Sequence, residues 1–454
     1  MNTSQPIHFI GIGGSGMSAL AELAVKRGLK VQGSDTHDSG TVKKLVTLGI
    51  NIFPDHRSSN LEGAKTVVYS SAIPSDNPEL VGAKENSLEI LHRSDFLKYL
   101  MLDQQAITVA GTHGKTTTAA MIAFVLDKLG MDPTVAIGGR MKALGSSARH
   151  GKGNLFVAEA DESDGSFLKY SPYLSILTNV DSDHMEYFKN QEGLEAAFLK
   201  YLNNTEEDGV AIVGWDNPVS RSIGLEYTGN RLTYGFAIGS EIRAINYRLE
   251  AEFACFDAIV EHDIVAVRLK MYGKHNVSNA LCALAVVRAL ELDVKKAAKA
   301  LESFPGVDRR LALIHQDENI KIYDDYAHNP GKVAACVSAL KEAFPKHKLH
   351  VLFQAHRFSR LETMYEETLG SLEDADVVYF LPVYAAGETT DKDFSPLRLA
   401  KDFSQRCDTK AIPCNNFKDA VKMVQKNLLP PAVVLTVGAG DVWQIAHKIK
   451  EAYE

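Results

Sequence analysis

Short runs of consecutive apolar residues recur along the chain, each breaking into glycine or polar sequence and then resuming with helical spacing. Ile7-His-Phe-Ile is followed by Gly11-Ile-Gly-Gly-Ser-Gly-Met-Ser and then by Ala19-Leu-Ala-Glu-Leu-Ala. Runs that do not alternate read as strands buried on both faces, and strand and helix in succession indicate a parallel sheet flanked by helices. The same sign continues in Lys30-Val-Gln-Gly-Ser-Asp35, Thr66-Val-Val-Tyr and Glu89-Ile-Leu-His-Arg, then in Ile107-Thr-Val-Ala with a helix resuming near Thr117. Leu155-Phe-Val-Ala and Leu174-Ser-Ile-Leu extend it. Residues 205–270 differ, being β-rich and irregular, with the alternating run Ile264-Val-Ala-Val-Arg-Leu-Lys. Gly273-Lys-His-Asn-Val-Ser-Asn-Ala then opens a helix, and the last third returns to strand and helix through Ile320-Lys-Ile-Tyr, His350-Val-Leu-Phe, Val377-Val-Tyr-Phe and Ala432-Val-Val-Leu-Thr-Val.

A chain of 454 residues exceeds one hydrophobic core. The pattern predicts an α/β protein of three domains. Residues 1–102 form a Rossmann-like domain, 103–306 a central parallel-sheet domain like those of phosphate-loop ATPases, and 307–454 a second Rossmann-like α/β domain. Composition changes the picture little: 45% hydrophobic and 23% charged residues are ordinary for a folded protein. A net charge of −8 supplies no broad basic face, which disfavours nucleic acid and membrane surfaces as partners. Cys255, Cys282, Cys336, Cys407 and Cys414 are scattered and never spaced as C-x-x-C, so neither a disulfide framework nor a thiolate zinc site is expected. The opening Met-Asn-Thr-Ser-Gln-Pro has no secretory character, and no run reaches the ~18 apolar residues of a membrane span, so a cytoplasmic protein is expected.

Candidate chemistry concentrates where the runs break. Gly111-Thr-His-Gly-Lys-Thr-Thr reads as a phosphate loop: glycines let backbone N–H groups turn inward, Lys115 reaches outer phosphates and the Thr116 hydroxyl suits Mg²⁺. Its first glycine comes late, since Val109 stands where the commoner spacing has glycine. Two strands then end in acids, Glu159, Asp161, Glu162 and Asp164 on one and Asp181 and Asp183, followed by the histidine His184, on the other. Such crowding needs a cation, and strands ending beside a phosphate loop place Glu159 and His184 where Mg²⁺ would bridge phosphates; His184 reads equally well as a hydrogen-bonded histidine at the core edge. Gly11, Gly13 and Gly16, with Asp35 at the end of the next strand, fit a dinucleotide or a nucleotide-sugar diphosphate equally well. His275, Asn276 and Asn279 offer amides at a helix start, and Arg309-Arg310 suit phosphate.

Taken together these stretches resemble the Mur ligases of bacterial cell-wall synthesis, along the whole chain and most closely the alanine-adding branch. Besides the two glycine motifs, the resemblance rests on Glu159-Ala-Asp-Glu-Ser-Asp-Gly-Ser-Phe-Leu, Thr178-Asn-Val-Asp-Ser-Asp-His-Met, His275-Asn-Val-Ser-Asn-Ala, Arg309-Arg, Asp324-Asp-Tyr-Ala-His, Phe353-Gln-Ala-His-Arg-Phe-Ser-Arg and Gly438-Ala-Gly-Asp. The family's shortened loop, G-T-x-G-K-T, accounts for the late glycine. The resemblance implies ATP-driven amide formation, in which the lactyl carboxylate of UDP-N-acetylmuramate becomes an acyl phosphate and the amine of L-alanine displaces phosphate.

It further implies that Gly111, Thr112, His113, Gly114, Lys115, Thr116 and Thr117 bind ATP, with His275, Asn276 and Asn279 at adenine and Arg310 and Asp325 at phosphates and ribose. Mg²⁺ would sit on Thr116, Glu159 and His184. Gly11, Gly13, Gly14, Ser15, Gly16, Met17, Ser34, Asp35, Ser70, Ser71 and Arg93 would hold the UDP-sugar in place of NAD. Tyr326, His328, Arg357 and Arg360 would approach the amino acid and the acyl phosphate, so the residues implied in the chemistry are Lys115, His184, His328, Arg357 and Arg360. The implied protein is a monomer or weak homodimer whose partners are its small substrates. Tyr272 before Gly273, Ser147 and Ala327-His-Asn-Pro depart from the family's usual residues, the last on the amino-acid side, and Lys200 is kept out of the site. A ligase that recycles an intact tripeptide onto the same nucleotide sugar is the alternative.

Overall fold

The computed structural model describes residues 5–453, apart from the side chain of Glu186. The opening residues 1–4, read above as lacking secretory character, lie outside the described residues. The strands gather into three sheets. The first has β1 (Ile7–Ile10), β2 (Val31–Ser34), β3 (Asn51–Phe53), β4 (Thr66–Tyr69) and β5 (Glu89–His92), all parallel, in the order β3-β2-β1-β4-β5. Strand order reverses between β1 and β4, and the glycine turn follows β1 at that point, the place where sheets of this kind ordinarily take ligands.

The second sheet has β6 (Gln105–Ala110), β7 (Thr134–Met141), β8 (Ser146–Arg149), β9 (Leu155–Glu159), β10 (Leu174–Leu177), β11 (Val210–Gly214), β12 (Arg231–Gly235), β13 (Ile242–Glu250), β14 (Phe253–Val260) and β15 (Asp263–Leu269). Its order is β15-β14-β13-β12-β11-β10-β6-β9-β7-β8. Strand β6 therefore runs between β9 and β10 and parallel to both, which brings the ends of all three strands to one place. The stretch read as irregular contains a helix, Pro218–Glu226, started by Asn217 and Pro218. The third sheet has β16 (Ala312–Gln316), β17 (Ile320–Asp325), β18 (Lys348–Phe353), β19 (Val377–Phe380), β20 (Lys410–Pro413) and β21 (Ala432–Val437), in the order β16-β17-β21-β18-β19-β20. It is parallel except for β16, which returns antiparallel onto β17.

Burial follows the period-two rule on both faces of the third sheet. Val433, Leu435 and Val437 of β21 join one apolar cluster with Val351 and Phe353, while Ala432 and Val434 join another with Leu352 and Tyr379. The first two sheets share a cluster in which Phe9 meets Phe96 edge-on at 5.3 Å and Phe167 packs on Phe198 and Tyr201. Tyr201 is fully buried, and its hydroxyl is satisfied by donating to the Thr108 carbonyl at 2.8 Å.

By contacts the chain divides into two compact units, one of Met1–Tyr247, Phe256–Arg268 and Ser278–Pro305 and the other of Arg248–Cys255, Leu269–Val277 and Gly306–Glu454. Within the first unit, the helix Ser15–Lys26 lies on the β7–β8 hairpin. Glu22 of that helix is only 4% exposed, yet it is matched by Lys26 at 2.6 Å, Lys44 at 2.9 Å and the Ser146 hydroxyl at 2.7 Å. Burial alone would push the Glu22 carboxyl up; these partners outweigh it and hold the pKa below the ordinary value. Lys26 also donates to the Ala148 carbonyl.

Candidate active site

The helix after β6 spans Lys115–Lys128 and begins two residues earlier than its apolar spacing suggests. Gly114, at φ +82, turns the chain into it, and no side chain caps its start. Several other helices are capped: Ser39, Asn77, Asn217, Asn329 and Asn416 each accept from first-turn N–H groups. The helix Ser15–Lys26 after the first glycine turn is likewise uncapped, beginning at Gly14. At both uncapped starts the first-turn N–H groups and the helix dipole favour negative charge.

The phosphate loop is braced by the end of β10. Thr178 donates to the His113 carbonyl at 2.8 Å, and Asn179 both accepts from the His113 N–H at 2.8 Å and donates to its carbonyl at 3.1 Å. The Asp181 N–H donates to the Thr112 hydroxyl at 2.9 Å, and the His113 ring pairs with the Asp181 carboxylate at 2.7 Å. A Cβ on Gly111 would lie 2.2 Å from the Thr178 hydroxyl, so this close approach requires glycine. Asn279 supports the other side, accepting from the Thr118 hydroxyl at 3.0 Å and standing 2.7 Å from where a Cβ on Gly114 would lie.

Lys115 donates to the Gly111 carbonyl at 2.5 Å and to Glu162 at 2.8 Å. Burial would pull its ammonium down, but Glu162, Asp161 and Glu159 outweigh burial and raise its pKa, so it stays charged. The Thr116 hydroxyl donates to Glu159 at 3.1 Å, and the other Glu159 oxygen accepts from the Gly138 N–H at 2.6 Å. Thr116 and Glu159 are thus brought together. His184 stands at the start of the short helix Met185–Phe188 in the left-handed region, φ +57, with its ring 4.0 Å from Asp183.

The crowded acids after β9 meet side-chain cations from two directions. Asp161 accepts from Arg93 at 2.7 Å, and Asp164 accepts from Ser71 at 2.6 Å while lying 3.8 Å from Arg93. Burial would raise the Asp161 carboxyl, but Arg93 and Lys115 draw it down to about 2. Arg93 and Ser71, two residues implied at the UDP-sugar, therefore bond to the same loop that holds Lys115.

At the first glycine turn the Gly13 N–H is taken by the Asp35 carboxylate at 2.8 Å. Gly14 and Ser15 are exposed, Gly16 is half-buried and Met17 is buried under the helix. Ser34 is fully buried; its hydroxyl donates to Glu79 at 2.5 Å, which leaves its backbone as the part nearest the turn. Glu79 also binds Asn60 at 2.8 Å and lies 3.3 Å from the ring of His8 and 2.9 Å from that of His56. Ser70 is half-buried, its carbonyl accepting from the Ile73 N–H at 3.0 Å.

In the second unit, His275 is exposed, whereas Asn276 is buried and donates to the Tyr272 carbonyl at 2.8 Å, so this amide turns inward. At the carboxyl edge of the third sheet Asp325 accepts from the N–H groups of Leu311 and Ala327, both at 2.6 Å. Arg309 donates to the Gly438 carbonyl at 2.6 Å, and Arg309 and Arg310 lie over the Tyr326 ring at 4.9 and 5.3 Å. His328 hydrogen-bonds the Tyr326 carbonyl through Nδ1 at 2.9 Å. A carbonyl can only accept, so Nδ1 carries the proton and Nε2 presents a lone pair. Burial, then the charges of Lys332 and Arg360, push its pKa down to about 3, which keeps the ring neutral. His328 lies 5.9 Å from His356, whose ring stacks on Tyr384 at 5.5 Å and meets Arg360 at 3.2 Å. Arg357 is half out in solvent, 3.7 Å from Glu388, with φ +68.

No spacing in the sequence points to Tyr384; His356 sits beside Arg357, so the motif that carries Arg357 carries it too. Glu162 was seen only as one acid among several, and no sequence spacing points to it as the partner of Lys115.

Fold and site define a phosphate-loop α/β protein with a second uncapped glycine turn and an arginine- and histidine-lined sheet edge. Three family models match it in order: Mur ligase family, catalytic domain over residues 6–105; Mur ligase middle domain over 109–287; and Mur ligase, glutamate ligase domain over 309–440. The chain belongs to the Mur ligase family. It is 40% identical to the protein named UDP-N-acetylmuramate–L-alanine ligase of Endomicrobium trichonymphae, over 97% of each chain. It is 37% identical to the protein of the same name in Desulforapulum autotrophicum, over 98% of each. The crystal structure of the UDP-N-acetylmuramate-alanine ligase of Thermotoga maritima aligns with a TM-score of 0.85 at 30% identity, covering 99% of both chains. That of a murein peptide ligase from Psychrobacter arcticus aligns at 0.72 and 22% identity over 99% of this chain and 98% of the other, a likeness of fold.

Proposed function

We infer that this chain is an ATP-dependent ligase that joins L-alanine to the lactyl carboxylate of UDP-N-acetylmuramate, releasing ADP and phosphate. The observation that carries the reading is the pair of uncapped glycine turns in one compact unit, with Lys115 at one and Arg93 near the other. The names of relatives that match nearly end to end supply the substrates. In the first step a carboxylate oxygen attacks the γ-phosphorus and the bond to the ADP oxygen breaks. In the second, the amine attacks the acyl carbon and the C–O bond to phosphate breaks. Two anions must meet in the first step, and the Lys115 ammonium, beside first-turn N–H groups already aimed at the phosphates, offsets the charge without reorganisation.

Mg²⁺ fits the donors present. Thr116 and Glu159 offer hydroxyl and carboxylate oxygens 3.1 Å apart, with His184 as the further group implied by the resemblance. When bound, the ion would neutralise phosphate charge. In the second step His328 offers Nε2 as an acceptor to the incoming amine; with a pKa of about 3 it orients the nucleophile rather than carrying its proton away. Arg357 and Arg360 supply positive charge for the acyl phosphate. Among the described residues no helix is long and apolar enough to cross a membrane, and the reading puts the enzyme in the cytoplasm with its nucleotide substrates. It takes residues 1–102, 103–306 and 307–454 as the functional parts for UDP-sugar, ATP and amino acid.

The test is ADP release from ATP with UDP-N-acetylmuramate and, in turn, L-alanine, glycine, L-serine and the intact tripeptide. Turnover is expected with L-alanine foremost. Preference for the tripeptide would make the protein the recycling ligase, and no turnover with any of the four would overturn the ligase reading.

A further inference from the structure

One short loop, 160–165, holds the cations of both anion sites. It leaves β9 with its own backbone bonds fixing its shape: the Ser163 N–H donates to Asp161 at 3.1 Å and the Ser166 N–H to Asp164 at 3.0 Å. Asp161 takes Arg93 at 2.7 Å and its neighbour Glu162 takes Lys115 at 2.8 Å. Asp164 binds Ser71 and lies 3.5 Å from the ring of His92, so the loop grips the first sheet's edge at two more points.

These are the cations that the proposed reaction needs for phosphates. Unmatched, two half-buried cations facing one region would be costly, and the loop supplies the missing negative charge from inside the protein. The arrangement at Glu162 is incomplete, however. The residue is 2% exposed, and its Oε2 is buried with no hydrogen-bond partner, so it is anchored on its Lys115 side alone. A phosphate that draws Lys115 away leaves Glu162 with no compensation where it stands, and the loop must shift to rehydrate it. Asp161 is bonded to the preceding side of the same turn, so that shift also loosens its hold on Arg93.

We propose that the 161–164 loop is an electrostatic latch coupling the two substrates: Asp161 and Glu162 stand in for phosphate at Arg93 and Lys115, and either phosphate group, on reaching its cation, releases the other cation as well. The inference rests on the proposed function, in which Arg93 and Lys115 meet the UDP-sugar and ATP. Coupling of this kind is reciprocal, each ligand tightening the other by the same factor, ordinarily about 5- to 150-fold. Asp161 and Glu162 are positioning residues here, acting through the cations they hold.

The test is calorimetry on the full chain with a non-hydrolysable ATP analogue and UDP-N-acetylmuramate, each titrated alone and against saturating amounts of the other. The wild-type protein is expected to bind each ligand at least about 5-fold tighter when the other is present. Asp161→Asn, at a part-exposed position that tolerates an amide, is expected to bind UDP-N-acetylmuramate tighter when titrated alone and to reduce the coupling to below about 2-fold. Glu162→Gln, checked for an unchanged melting temperature, is expected to do the same for the ATP analogue. Undiminished coupling in Asp161→Asn, or weaker rather than tighter binding of the single ligand, overturns the latch while leaving the ligase reading in place. A wild-type protein that binds neither ligand overturns the ligase reading itself.

Discussion

The two glycine turns look alike in sequence and differ in how they are held. The phosphate loop is enclosed: Thr178, Asn179 and Asp181 bond to it, Asn279 bonds to Thr118 just beyond it, and Gly111, Thr112 and Thr116 are buried. The first turn is open, with Gly14 and Ser15 exposed and a single carboxylate, Asp35, reaching its backbone. A loop that stabilises charge developing in a transition state gains from donors fixed in advance, whereas a turn that only retains a diphosphate can be adaptable. On the proposed function, the difference in bracing is a difference in task.

The sharpest way to break this comparison is at Lys115. Lys115→Ala should reduce kcat by at least about 10²-fold, the usual effect of removing one stabilising donor, as read by phosphate release. Near-normal turnover would deny the braced loop its catalytic role.

The support beneath the open turn is tested by pH. Burial would raise the Glu79 carboxyl, but His8, Ser34 and Asn60 hold it down to about 2 from an ordinary 4.5. A depressed carboxyl contributes stability that is present above 4.5 and is lost as pH falls through about 2, here up to ~3 kcal/mol. Chemical denaturation at pH 6 and at pH 3 should show about 2 kcal/mol of that loss in the wild type and a smaller one in Glu79→Gln; equal losses would exclude Glu79 as the source.

A matched pair of substitutions sharpens the contrast further. Gly111→Ala, at φ +123 and with a new Cβ 2.2 Å from Thr178, should lower stability by ~2 kcal/mol or more. Gly14→Ala, at φ −59 with its nearest neighbour 3.4 Å away, should lower stability by less than ~1 kcal/mol and act on UDP-sugar binding alone. Melting temperatures that shift equally in both variants would mean that the two turns are held alike.

Much of this was readable from residue order. Short apolar runs gave the central strands of all three sheets, such as β1, β6, β10, β18 and β21, because a strand buried on both faces leaves no other pattern. The helix Pro218–Glu226 escaped notice inside a β-rich stretch although Asn217-Pro218 is a start signal; the strands around it dominated the reading. Strand β16 was missed because a short antiparallel edge strand lacks a continuous apolar run. At the site, glycines and lysine announced the loop, since few other residues can form it. The partners of Lys115, Asn276 and Arg93 did not, because a carboxylate or amide on an irregular loop or helix start has no periodicity to say which way it turns. Asn276 turns inward to Tyr272, and only the fold shows it.

The buried Glu22 has a consequence for exchanging parts between relatives. Its neutralising groups come from its own helix, from Lys44 and, across to the next sheet, from Ser146 on the β7–β8 hairpin. That same hairpin carries Gly138, whose N–H orients Glu159 beside the phosphate loop. A chimera that grafts a foreign nucleotide-sugar module at residue 102 would keep its phosphate loop intact and still inherit a mismatched seam. Recombination is therefore safest when the hairpin travels with the first hundred residues, which makes the heritable unit longer than the sheet it serves.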